Sequence, residues 1–124
     1  NKKRWFVRHN VVERINLKNI LLNVNAVILP SSYPSECQPL SIIEGMIFCK
    51  HIIIKNTKAL RNTIGNYPAE LVERDKLIIA NALKACINKD SSSINNRIEQ
   101  GKDALKRFSY GFFENKIKDI FFNY

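Results

Sequence analysis

Two short apolar runs, AVILP at 26–30 and HIII at 51–54, bracket the stretch that most limits what this chain can become. Each reads as a buried strand rather than a helix. Between them Pro39 to Cys49 reads as a helix, with Pro39 at the first helical position, where a missing N–H costs nothing. Strand, loop, helix and strand joined by short connections favour a parallel α/β sheet.

The rest of the chain extends that pattern. Trp5 to Arg8 reads as a short strand, and Leu17 to Val24 as a helix with apolar residues at Leu17, Ile20, Leu21 and Val24. Lys58 to Ile64 is a short helix ended near Gly65, and Ala69 to Val72 a last short strand. Asp75 opens an amphipathic helix to Asn88, with Leu77, Ile78, Ala82, Leu83 and Ile87 as its apolar set. A break at Asp90 to Ser93 precedes a helix at about Ile94 to Phe108, and Ser109 caps another running to Phe122. With 124 residues the chain is one domain, 1–124, large enough for a real core. The expected fold is a Rossmann-like parallel sheet flanked by helices, mostly helical over 73–124.

Open α/β sheets keep ligands outside the carboxyl ends of their strands. The segment ECQPLSIIE, Glu36 to Glu44, lies at such an end. Glu36 falls in the loop and Glu44 about one and a half turns into the helix, where side chains lean back toward the N-terminus, over Ser41 and Leu40. Between the two carboxylates, the free N–H groups of the first turn, from Leu40 and Ser41 onward, favour an anion such as a phosphate.

The string PSSYPSECQPLSIIEGM, Pro30 to Met46, resembles the donor-site signature of family 4 of the retaining GT-B glycosyltransferases, in which two glutamates are separated by seven residues. The likeness covers almost the whole chain. CKHIII (Cys49 to Ile54) stands at the family's Gly-x-Pro-Val strand entry, ALRNTIGN (Ala59 to Asn66) at its later turn, and RFSYGFFENKIKDIFFNY, from Arg107, at its closing helix. The resemblance implies that Glu36 is catalytic, binding donor-sugar hydroxyls and stabilising the cationic transition state. It implies that Glu44 accepts hydrogen bonds from the ribose, and that Gln38, Pro39, Leu40 and Ser41 line the donor, with Leu40 and Ser41 beside the diphosphate. Ionised carboxylates suit paired hydroxyls and fixed amides suit phosphate oxygens.

The same resemblance implies a nucleotide-sugar donor, no cofactor, no metal, and a role in glycan, capsule or lipid-linked polysaccharide synthesis. An acceptor glycan or lipid-linked sugar would be brought by an N-terminal domain, which, with the family's diphosphate-neutralising basic pair, lies outside this sequence. The chain alone is therefore expected to be inactive, cytoplasmic, and peripheral to the membrane. Several positions depart from the family pattern: Cys37 and Cys49 stand for Gly, Gly45 for Ala and His51 for Pro, Thr57 and Lys58 stand near a common Gly pair, and Asn62 stands for the acid of the later turn. Cys37 is expected to narrow the sugar pocket or alter its loop.

Two other classes are weighed against that reading. One is a non-catalytic remnant or nucleotide-binding module. The other, a basic polyanion-binding domain, is invited by the net charge of +9. The basic residues are scattered apart from Lys2, Lys3 and Arg4, and no nucleic-acid-binding motif appears; the resemblance implies attraction to an anionic membrane surface, favoured over specific nucleic acid. Cys37, Cys49 and Cys86 are odd in number without CxxC spacing, which points to free thiols in a reducing compartment. Cys86 is expected in the core, and His9 and His51 in structural roles. No apolar run is long enough to span a membrane. The aromatic closing helix is expected to leave an apolar patch that drives self-association.

Overall fold

The computed structural model of the chain describes residues 12–33, 35, 38–73, 75–88 and 92–122; within these, the side chains of residues 14, 15, 92, 113, 116 and 119–122 are not described. The elements run α1 (Arg14–Asn23), β1 (Ala26–Leu29), α2 (Leu40–Ile47), β2 (His51–Lys55), α3 (Lys58–Ile64), β3 (Ala69–Val72), α4 (Lys76–Asn88), α5 (Ser92–Arg107) and α6 (Tyr110–Phe122). The expected strand at Trp5 to Arg8, His9 and the Lys2–Arg4 cluster lie outside the described residues.

The three strands form a parallel sheet in the order β1-β2-β3, with Ala26 opposite His51 and Ile52 opposite Ala69. The fold is thus α/β, Rossmann-like in its open parallel sheet with helices. Side chains alternate across it with the period of a strand. Ile52 and Ile54, flanked by Val27, Leu29 and Ala69, pack with Ile42, Ile43 and Met46 of α2, Leu60 and Ile64 of α3 and Ala104 of α5. Ile53, with Ile28 and Val72, faces Ile79, Ala82, Leu83 and Cys86 of α4 on the other side. Covering both faces explains why β1 and the centre of β2 are continuous apolar runs. The fully buried side chains of Ile42, Met46, Ile52, Ile53, Ile54 and Leu60 each contribute roughly 1.5–3 kcal/mol.

Two helix phases differ from the sequence expectation. The buried stripe of α4 is Ile79, Ala82, Leu83 and Cys86, whereas Leu77, Ile78 and Ile87 are exposed. Both sets fit a helical period, and the one that meets Ile53 of β2 is buried. Pro39 is not the first helical residue of α2 but its N-cap, with ψ 123°. Its carbonyl still accepts from the amides of Ile42 (3.1 Å) and Ile43 (3.3 Å).

Local chemistry sets the other boundaries. The Thr57 hydroxyl accepts from Leu60 N at the start of α3, and Gly65, at φ 58°, ends it. The Asp75 carboxylate accepts from the amides of Leu77 (2.8 Å) and Ile78 (3.1 Å) to cap α4. Ser109 Oγ accepts from Phe112 N at 3.4 Å, the expected cap of α6.

The turn between α2 and β2 is held from a distance. Cys49 takes the left-handed conformation, φ 57°. Its carbonyl accepts from Arg97 Nε of α5 at 3.0 Å, and the Lys50 carbonyl accepts from the Tyr67 hydroxyl at 2.6 Å. Burial, with a smaller contribution from the Cys49 thiol, pushes the Tyr67 phenol well above its ordinary pKa, opposed by Arg97. α5 closes on α2 through Gly101, and Arg107 donates to the carbonyls of Thr63 and Ile64 at the end of α3.

Candidate functional site

The β1–α2 crossover places the start of α2 at the carboxyl edge of the sheet, beside the end of β2. Ordinary N-capping is missing there: Pro39 has no side-chain acceptor, and no cap hydrogen bond forms. Since Ile42 and Ile43 bond back to Pro39, the free first-turn amides are those of Leu40 and Ser41 and not a longer run. Both residues are exposed, Leu40 at 68%. A leucine side chain left in water at a helix start is poor packing, but its backbone donor faces no protein acceptor among the described residues.

Gln38 is exposed and Pro39 half-buried. Glu44 is the fifth residue of α2, half-buried between the inward Ile43 and Gly45, and its carboxylate makes no hydrogen bond or ion pair among the described residues. It therefore keeps its acceptor capacity. Glu36 and Cys37 lie outside the described residues, so the structure brings together Gln38, Pro39, Leu40, Ser41 and Glu44 on one loop–helix unit.

Sequence reasoning missed the cations of this edge. Lys55, the last residue of β2, donates from Nζ to Ser32 Oγ in the loop after β1, at 2.8 Å. That bond ties the carboxyl ends of β1 and β2 together. Arg61 of α3 donates to the Asn56 carboxamide just beyond β2. Neither cation pairs with a carboxylate among the described residues. The signal was present as a lysine directly after three isoleucines, at the end of a strand where ligand-facing residues of open sheets sit.

An edge with two uncapped amides and with a lysine and an arginine that pair with no carboxylate among the described residues suits an anionic ligand. Among the described residues no three His, Cys, Asp or Glu side chains are grouped as metal ligands, and no helix is long and apolar enough to cross a membrane. Cys49 and Cys86 form no disulfide among the described residues, and Cys86 is buried as expected. No protein-family model matches the chain, and no curated protein matches it significantly.

Proposed function

We propose that the carboxyl edge binds the diphosphate of a nucleotide-sugar donor, and that the chain is the donor half of a retaining, metal-independent GT-B glycosyltransferase. The observation that carries this reading is the uncapped start of α2, with Lys55 fixed at the same edge by Ser32. The Leu40 and Ser41 amides would receive phosphate oxygens, Lys55 would supply charge, and Glu44 would accept from ribose hydroxyls. Glu36 would hold the sugar. A further support is Cys49: its positive φ is a backbone state suited to glycine, the residue the GT-B family 4 pattern has at that position.

Calorimetric titration with nucleoside diphosphates tests the proposal. Saturable binding is expected, weakened roughly tenfold by Lys55→Ala or Glu44→Ala, the loss of about one charged hydrogen bond. Leu40→Pro removes one amide donor at a position that accepts proline, so it should weaken diphosphate binding without lowering Tm. Glu36→Ala should matter only when a sugar is attached. Absence of binding by every nucleoside diphosphate, or full affinity after all three edge substitutions, overturns the assignment.

A further inference from the structure

A cavity of about 730 Å³ opens at the opposite, amino edge of the sheet, between the starts of β1 and β2, the end of α4 and the start of α5. Its size falls within the range of small-molecule sites, roughly 300–1,000 Å³. One wall is hydrocarbon, from Ile28, Leu83, Ile87 and Ile94; the other carries Lys50 and Arg97. Among the described residues no carboxylate lines it.

Arg97 makes this asymmetry informative. It is only 9% exposed, yet it meets no carboxylate among the described residues: Nε donates to the Cys49 carbonyl, and Nη1 lies 2.9 Å from Ser93 Oγ and 3.1 Å from His51 Nε2. Nη2, with two N–H donors, has no acceptor among the described residues. A buried guanidinium without an anion is costly, and buried charges are ordinarily paired. Ile87, 80% exposed, adds apolar surface left in water to the same cavity. One ligand satisfies both defects only if it joins an anion to a hydrocarbon.

We infer that this cavity binds a small amphiphile with a single anionic head, carboxylate or phosphate ester, set against Arg97 and Lys50, and a short alkyl tail along Ile87 and Ile94. The site lies across the sheet from Glu44 and is independent of the nucleotide proposal.

The test is titration of the whole chain with octanoate, octyl phosphate, 1-octanol and inorganic phosphate, followed by calorimetry and amide NMR shifts. Octanoate or octyl phosphate should bind at least tenfold more tightly than 1-octanol or inorganic phosphate, shifting Cys49, His51 and Arg97 and leaving Leu40 and Ser41 unmoved. Arg97→Gln should abolish the preference for the anion. Ile87→Glu, at a position too exposed to matter for folding, should repel both amphiphiles even if the first variant fails to fold. No binding, equal binding of 1-octanol, equal binding of inorganic phosphate, or unchanged binding by the Ile87→Glu protein would overturn the inference. An excess of nucleoside diphosphate should not displace octanoate, which separates failure here from failure at the other edge.

Discussion

Gly101 of α5 lies directly on the carbonyl oxygen of Met46 in α2: a β-carbon at Gly101 would stand 2.7 Å from that oxygen and 3.0 Å from Cys49 Sγ. Helix propensity alone favours alanine over glycine here by about 1 kcal/mol. The obstacle is backbone, which cannot rotate aside as a side-chain end can. Gly101→Ala should therefore lower stability by about 1–3 kcal/mol in urea denaturation; a more stable variant would show that α5 can lift from α2 at little cost.

Cys49 offers a contrast in backbone strain. At φ 57°, glycine is at ease and a β-branched residue is not. Cys49→Gly should stay within about 1 kcal/mol of the parent, and Cys49→Val should lose about 1–3 kcal/mol. Equal stabilities for the two variants would remove the conformational explanation.

Arg107 makes two kinds of contact that differ in worth. Its Nε meets Asp103 at 2.8 Å, one turn back and half in solvent, while its Nη atoms reach the carbonyls of Thr63 (3.4 Å) and Ile64 (3.2 Å). Exposed ion pairs of this spacing are worth about 0.3–0.5 kcal/mol, and charged hydrogen bonds to helix-end carbonyls about 1.5–3 kcal/mol. Arg107→Met should consequently cost several times more than Asp103→Asn, and chemical denaturation of both variants decides the order.

The raised pKa of Tyr67 sets a direction for pH dependence. Below the ordinary phenol value of about 10, the neutral side chain is favoured in both folded and unfolded chains. Above it the unfolded chain releases the proton first, so stability falls as pH rises toward the higher folded value. Tyr67→Phe should lose about 0.5–1.5 kcal/mol at neutral pH with its hydrogen bond to Lys50 O. It should also flatten the alkaline decline. An identical alkaline slope in the variant would mean that other groups cause it.

On α6, Ile117 is 53% exposed and Tyr110 82% exposed. Light scattering across a concentration series should reveal association, and Ile117→Lys should reduce it; a monomer at high concentration would refute the role of this face.

The first two strands were legible because AVIL and HIII are short apolar runs, as a parallel sheet covered on both faces demands; AELV, with Glu70 inside it, is a weaker signal. The helices were legible as helices, but not always in phase: in α4 the pairs Leu77–Ile78 and Ile79–Ala82 are equally apolar to a reader who cannot see Ile53. At the candidate site, local order predicted free amides at Leu40 and Ser41 as the first-turn donors of a helix, but it put Pro39 one place too far in and so did not read that the N-cap itself offers no capping oxygen. Lys55 and Arg97 escaped notice for a common reason. A cation's meaning depends on which distant groups surround it, and Ser32 and Cys49 are separated from these residues by 23 and 48 positions.

The order β1-β2-β3 means that each strand pairs with the one made just before it. The sheet can accordingly be assembled by accretion as the chain leaves the ribosome, with no strand waiting for a later one to be inserted beside it. Helix α5 breaks this sequence by reaching back over α2 to meet Met46 and Cys49. Its docking is a long-range closure that waits for the most C-terminal of these partners, so it should come late in synthesis and be a step whose delay leaves Met46 and Ile43 open to chaperones.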